Sequence, residues 1–294
     1  MFDLNIRNLD VHMHSTESDG TNSPEEFPDL IEKAGICIFS ITDHDATDGA
    51  IRVEEMLAGK GAEPGVLFTK GVEFSCRDDQ GKYHILGYGY DIGKPFVQET
   101  VDKAHALRMS KVTGRLDFLK DEFGFRFYEE DKACLLALPN PGKPHIGNLM
   151  AEYGYAPNKD VAITDYINLY KEPNAYLSPQ DAIDAITASG GIPVLAHPHF
   201  GNGSQRIYGK DLEDRLERLT AMGIQGVEAF YSGFSRDLIS HTLSLAQKHN
   251  LYVTAGSDYH GANKTVPLGH TNFTDSWDMP HGMIGFLERV FDGQ

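Results

Sequence analysis

Leu9-Asp10-Val11-His12-Met13-His14, then Ser18-Asp19-Gly20, then Ser23-Pro24-Glu25-Glu26, reads as a strand, a polar loop and the start of a helix. The apolar run gives the strand. Ser23 supplies an N-cap, Pro24 sits at the first helical position, and two acids occupy the first turn. In a strand, residues two apart point to one face, so His12 and His14 converge on one point at the strand's end.

The same unit recurs along the chain. Apolar runs at 36–42, 66–69, 83–90, 192–196, 224–229 and 251–255 alternate with helical patterns, one of them opened by Ser178-Pro179-Gln180-Asp181. Strand-then-helix alternation predicts an α/β fold with parallel strands. The stretch 99–177 breaks the rhythm. It reads as helices over Val101–Lys120, Ile146–Tyr153 and Ile163–Tyr170, with a Pro-Asn-Pro-Gly loop at 139–142. Residues 100–177 carry 10 Lys/Arg against 11 Asp/Glu, while the rest carries 16 against 32. The expected organisation is therefore a host domain of residues 1–98 and 178–294 with an inserted, nearly neutral helical cap, 99–177.

The 294 residues suffice for one large domain with an insertion. No apolar run approaches the ~20 residues of a membrane span, and the N-terminus has no basic-then-apolar leader. Three widely spaced cysteines, Cys37, Cys76 and Cys134, fit a reducing cytoplasm. A net charge of −17 repels polyanions at long range, which disfavours long nucleic acid as a partner.

Metal-binding residue types recur where apolar runs end. His14 and Asp19 follow the first run, Thr42-Asp43-His44-Asp45 the second, and Gly71-Val72-Glu73 the third; His84 opens the fourth. Ala196 is followed by His197-Pro198, and Gly256 by Ser257-Asp258-Tyr259-His260. Any one of these has an ordinary structural explanation as a cap, a turn or a salt bridge. Together they place six of the 13 histidines and three acids at strand ends, where uncompensated charge is costly to desolvate. Imidazoles and carboxylates without a thiolate suit Mn, Fe or Zn. Nine donors exceed what one ion uses, so two or three divalent ions are expected, with Glu73 bridging. Such a centre suits phosphoester hydrolysis.

In this order, His12-x-His14, Ser18-Asp19-Gly20, Thr42-Asp43-His44, Gly71-Val72-Glu73, His84, Ala196-His197-Pro198 and Ser257-Asp258-Tyr259-His260 resemble the PHP (polymerase and histidinol phosphatase) superfamily. The resemblance is strongest to small bacterial phosphoesterases with a helical insertion, among them nucleoside bisphosphate phosphatases and cyclic-phosphate hydrolases. It implies a distorted (β/α)7 TIM-like barrel whose metal-bridging hydroxide attacks phosphorus. It also implies that His12, His14, Glu73 and Asp258 hold one metal, Glu73, His84 and His197 a second, and Asp19, His44 and His260 a third. Asp258, His260 and His199 are the catalytic candidates. Relatives often show His-Pro-Gly-Arg where this chain has His197-Pro198-His199-Phe200, so His199 or Arg206 is expected to take the arginine's place on phosphate. Lys143 and His145 stand where relatives place other phosphate contacts. The expected substrate is a small phosphorylated metabolite: a nucleotide, a nucleoside bisphosphate, or a sugar or cyclic phosphate. Alternatives are 5′–3′ exonuclease action on short oligonucleotides, a histidinol-phosphate-type phosphatase and, more distantly, an amidohydrolase or a non-catalytic module. The residues do not fix an oligomeric state.

Overall fold

The computed structural model describes residues 6–60, 66–171, 176–201 and 205–291. Three two-residue strands, β1 (Leu9–Asp10), β2 (Ile38–Phe39) and β3 (Leu67–Phe68), form a parallel sheet. Five more form a second sheet in the order β4 (Gly71–Asp78), β5 (Gly81–Tyr88), β6 (Ile192–Leu195), β7 (Gly226–Tyr231), β8 (Tyr252–Gly256).

The fold is mixed α/β, as the alternation predicts, but the strands are not all parallel. β4 and β5 make an antiparallel hairpin, and β5 pairs antiparallel with β6. Gly71-Val72-Glu73, expected at the end of the third strand, is instead the start of β4. The hairpin exists because Asp78-Asp79-Gln80-Gly81 makes a tight turn. The Asp78 carboxylate accepts from the Gln80 and Gly81 N–H groups at 2.9 and 3.1 Å.

The two sheets meet at both edges through single bridges rather than ladders. Met13 bridges Tyr259, with Val11 N–H donating to Ala255 O at 3.0 Å; His44 bridges Glu73. No closed ladder runs round the described strands. Residues 11–14 and 43–45 bond across these seams, while the Ser40 and Thr42 N–H groups still donate to Asp10 O and Met13 O at 3.2 and 2.8 Å. Those seams are where His12, His14, His44, Glu73 and Asp258 sit.

The helical expectations hold in outline. α1 (Phe27–Ala34) follows the Ser23 capping box and ends on left-handed Gly35. α2 (Asp48–Lys60) follows β2, and α3 (Pro95–Phe123) contains the predicted 101–120 helix, stopped by left-handed Gly124. α4 (Glu129–Leu136) was not foreseen; its mixed EEDKACLL sequence has no clear apolar stripe. α5 (Lys143–Glu152) takes in Ile146–Tyr153 almost whole. The 163–170 helix is irregular: α6 (Lys159–Val161) passes into a π turn and a 3-10 turn ending at Leu169. α7 (Pro179–Ala188), α8 (Gly209–Ala221), α9 (Arg236–Lys248) and α10 (His281–Phe291) cover the second sheet and its edges. No described helix is long and apolar enough to cross a membrane.

A main apolar cluster joins β4–β8 to α7–α10, around Tyr88, Phe74, Ile85 and Phe230. A second fills the space between β1–β3 and α1–α2. A third, including Val112, Leu119, Ile146 and Met150, is built wholly from residues 112–167. Residues 112–167 thus have a core of their own.

Candidate metal centre

Glu73 is the hub. It is fully buried on β4, and both of its oxygens face imidazoles. Oε1 lies 2.9 Å from His84 Nδ1 and 3.3 Å from His197 Nε2. Oε2 lies 3.3 Å from His12 Nε2, 3.2 Å from His14 Nε2 and 3.0 Å from His44 Nδ1. Strand geometry explains the convergence. Glu73 on β4 and His84 on β5 stand on one face of the hairpin, while His12 and His14 come in from the end of β1.

Asp258 and Asp19 complete the cluster. Asp258 Oδ1 is 3.3 Å from His14 Nε2, 3.4 Å from His260 Nδ1 and 3.6 Å from His12 Nε2. Asp19 Oδ1 is 3.1 Å from His260 Nε2 and 3.9 Å from His44 Nε2. All nine predicted donors are therefore brought together. Seven of them, all but His197 and Asp258, fall into three groups with mutual ligand-atom distances within 4.8 Å: His14-Asp19-His44-His260, His12-His14-Glu73 and His44-Glu73-His84. His197 touches Glu73 from outside these groups, and His44 takes the place beside Glu73 and His84 that the resemblance gave it.

The electrostatics are those of a cation site. Burial alone would raise the carboxyls of Glu73, Asp19 and Asp258, yet the surrounding imidazoles, with Lys264 at Asp258, hold all three well below the usual range. Burial and the His260 and His44 charges push His14 down to about 4. Burial would likewise lower His12, but Glu228, Glu73 and Asp258 hold it well above its ordinary value. Five buried atoms, His12 Nε2, His14 Nε2, Asp19 Oδ1, His44 Nδ1 and Glu73 Oε2, make no hydrogen bond. Orphaned buried donors and acceptors are rare and costly. Here they converge, and they are nitrogens and oxygens with no sulfur. This donor set fits divalent metal ions. Three residues of the site adopt positive φ without being glycine: Asp45 at 50°, His197 at 27° and Asp258 at 59°. Such strain persists only where surrounding contacts over-determine it.

Several supporting groups escaped the sequence reading. Glu228, buried on β7, accepts from His12 Nδ1 at 2.8 Å and from the His197 N–H at 2.8 Å. Asp43 is not a ligand. It accepts from the Ser15 N–H at 2.7 Å and from the Ser15 and Ser18 hydroxyls at 2.6 Å each, pinning the loop after His14. Tyr231 donates to Asp258 Oδ2 at 2.8 Å and Lys264 to the same oxygen at 2.6 Å. Arg215 donates to Pro198 O at 3.1 Å and Phe200 O at 2.6 Å, holding the turn after His197. The signal for Glu228 was present, since a lone carboxylate in the run Gly226–Tyr231 must find a partner once buried.

The expected phosphate binders scatter. His199 is corrected: it is buried, and its Nδ1 and Nε2 bond Ile207 O and Thr242 Oγ1 at 2.9 Å each. Both ring nitrogens are spent within the chain, which leaves none for a substrate or a proton transfer. Arg206 stacks its guanidinium 4.0 Å from the Phe200 ring; part of the glycine-rich loop before it, 202–204, lies outside the described residues. His145 accepts from the Gly142 N–H at 3.0 Å and feels the charges of Asp19 and Arg108. Lys143 donates to Asn168 Oδ1 at 2.7 Å.

Arg108 ties α3 to the edge of the centre. It pairs with Asp45, which burial alone would raise but whose carboxyl Arg108 holds below the usual range, and it reaches Ser75 Oγ at 3.3 Å. Both partners are buried, so Arg108→Met leaves an uncompensated carboxylate. The expected loss is about 3–5 kcal/mol of folding stability, measured by urea unfolding. A loss below about 1 kcal/mol, the range of an exposed pair, would contradict this reading.

No family model matches the chain. Three curated proteins resemble it over nearly their whole lengths. A phosphoribosyl 1,2-cyclic phosphate 1,2-diphosphodiesterase of Eggerthella lenta is 31% identical, covering 90% of this chain and 97% of the relative. A 3′,5′-nucleoside bisphosphate phosphatase of Chromobacterium violaceum is 27% identical, with coverages of 90% and 92%. A 5′–3′ exoribonuclease of Haemophilus influenzae is 28% identical, with coverages of 96% and 99%. Among solved structures, one described as a metal-dependent phosphoesterase of Bifidobacterium adolescentis superposes with a TM-score of 0.80 at 24% identity over 98% of both chains, which establishes the fold. A second, described as an amidohydrolase of Chromobacterium violaceum with bound sulfate, superposes with a TM-score of 0.75 at 25% identity over 88% of this chain and 90% of the other.

Proposed function

The chain belongs to the PHP superfamily and is a metal-dependent hydrolase of phosphoester bonds, and from this premise we propose that its substrate is a small phosphorylated metabolite: a nucleotide, a nucleoside bisphosphate, or a sugar or cyclic phosphate. The observation that carries the reading is the convergence of nine histidine and carboxylate side chains, five of which, His12, His14, Asp19, His44 and Glu73, aim a buried ligand atom without a hydrogen bond into the cluster.

In this reading His12, His14, Glu73 and Asp258 would hold one ion, Glu73 with His84 and His197 a second, and Asp19, His44 and His260 a third. Bound Mn, Fe or Zn supplies acidified water and positive charge facing the phosphoryl oxygens. The chain's own residues do the rest. Glu73 orders five imidazoles around one carboxylate. Asp258 and His260 sit at the end of β8, on a backbone held in a strained conformation, and fix the geometry in which phosphorus is attacked. Lys264, 39% exposed and already touching Asp258, is the cation at the mouth and is placed to hold an anionic oxygen. We read residues 99–177 as a cap domain over this mouth, and the two sheets as halves of a distorted (β/α)7 barrel. The free cysteines fit a cytoplasmic protein.

Two measurements test this. Protein grown with ample Mn, Fe and Zn is expected to carry at least two ions per chain; less than one ion per chain sinks the multi-metal reading. Phosphate release is then followed across nucleotides, nucleoside bisphosphates, cyclic phosphates, histidinol phosphate and short RNA. A small ester is expected to give the highest kcat/KM, and short RNA cleaved far faster than every small ester replaces the metabolite reading with an exonuclease.

A further inference from the structure

Residues 112–167, which pack around a core of their own, reach the metal centre at a few chosen points. The buried Asn140 side chain, in the loop between α4 and α5, donates from Nδ2 to the backbone carbonyl of His44. Lys159, the first residue of α6, donates from Nζ to the carbonyl of Asn263. Asn263 passes that contact on: its Nδ2 donates to Asp19 O at 2.8 Å and its N–H to His260 O at 3.3 Å. His145 of α5 lies close enough to feel the Asp19 charge.

The backbones met in this way belong to Asp19, His44 and His260, the residues assigned above to the third ion. The turn that carries Asn263 lies directly against the Asp19 loop. Ala262 N–H donates to Thr21 Oγ1 at 2.8 Å, and a Cβ on Gly261, at φ 61°, would collide with that hydroxyl. The other ligands are held from the second sheet. Glu228 holds His12 and His197, Tyr231 holds Asp258, and the β4–β5 ladder carries Glu73 and His84. Asn140 is an expensive residue for the fold alone, because its Oδ1 is buried without a hydrogen bond, and an unpaired buried acceptor is destabilising. What it secures is a donor to the carbonyl of one cluster histidine.

We propose that Asn140, Lys159 and Asn263 are positioning residues that make the third cation position conditional on the seating of residues 112–167. The proposal rests on the metal assignment given above and deepens it. Asp19, His44 and His260 come from the segments after β1, β2 and β8, and they form a site only when those segments are fixed relative to one another. With Asn140 and Lys159 engaged, the His44 carbonyl and the 261–263 turn are both tied to one helical body. With that body lifted, His44 O loses its donor and the turn loses its outer contact, while the ligands of the other two ions keep theirs. Coupling of this kind is reciprocal: what seating does for the ion, the ion does for seating. Any opening of residues 112–167 therefore loosens the third position and leaves the other two intact.

The test titrates Mn(II) into chelator-treated full-length protein against a competing chromophoric chelator. Wild type is expected to show three binding steps, one of which Asp19→Asn removes. In Asn140→Ala and in Lys159→Met that same step is expected to weaken at least ~5-fold while the other two are unchanged. Lys159→Met reports independently if Asn140→Ala does not fold. The reciprocal arm is amide hydrogen exchange: Mn(II) is expected to slow exchange across residues 143–161 in wild type and not in Asp19→Asn. An unchanged third step in a folded variant, equal weakening of all three steps, or exchange across 143–161 that ignores the metal overturns the proposal. Two steps in wild type overturn it as well and leave the multi-metal reading standing, whereas fewer than two sink that reading itself.

Discussion

Glu73→Gln is expected to lower kcat/KM on any phosphoester substrate by on the order of 10³-fold, with metal content falling in parallel. The substitution preserves volume, removes the charge and turns one acceptor oxygen into a donor. Glu73 is fully buried and faces His12, His14, His44, His84 and His197, all within 3.3 Å. An amide cannot hold five imidazoles around shared cations, because its nitrogen presents protons where an oxygen must present lone pairs. The backbone contacts at this position survive: Glu73 N–H still donates to Asp43 O at 3.1 Å and Asp45 N–H to Glu73 O at 2.9 Å. The variant should therefore fold, and circular dichroism with thermal melting checks it. A folded Glu73→Gln protein retaining more than a tenth of wild-type kcat/KM, or its full complement of metal, would refute the central role given to this carboxylate.

The nine donors were legible in the sequence because each interrupts or ends an apolar run, and a charge in that position needs compensation. Strand positions were legible for the same reason, and strand direction was not. β4 and β5 look like two more members of a parallel series until the Asp78-Asp79-Gln80-Gly81 turn is recognised, after which an antiparallel hairpin is the only short connection. The consequence is functional, since the hairpin is what brings Glu73 and His84 onto one face. Polar groups that act on backbone or on other side chains were the least legible. Arg108 and Asp45 are 63 residues apart in sequence, and neither carries a local motif. His199 failed in the opposite direction. Its neighbours suggest a substrate contact, but its two nitrogens are taken by Ile207, beyond the intervening glycine-rich loop, and by Thr242 on α9, a pairing that no local motif announces.

Glu228→Ala is expected to weaken divalent-metal binding by about 10–100-fold, the range for a carboxylate that orients a ligating histidine. His12 Nδ1 donates to Glu228 Oε1 at 2.8 Å, so the proton is fixed on Nδ1 and the bare Nε2 lone pair faces Glu73 and Asp258. The other carboxylate oxygen accepts from the His197 N–H at 2.8 Å, at a residue held at φ 27°. One buried side chain thus sets the tautomer of one cluster histidine and the backbone of another. Gly256 on β8 makes room for it, since a Cβ there would collide with both His12 and Glu228 Oε1. Glutamine is not a conservative replacement: both oxygens accept, so one N–H would confront an amide nitrogen instead of an acceptor. Glu228→Gln should therefore lose nearly as much affinity as Glu228→Ala, whereas a carboxylate that merely filled space would tolerate glutamine. Titration of metal against a competing chromophoric chelator measures the effect. At saturating metal the kcat of either variant should recover more than its affinity, because the donors themselves are intact. Unchanged affinity in Glu228→Gln would show that the His12 tautomer is set elsewhere.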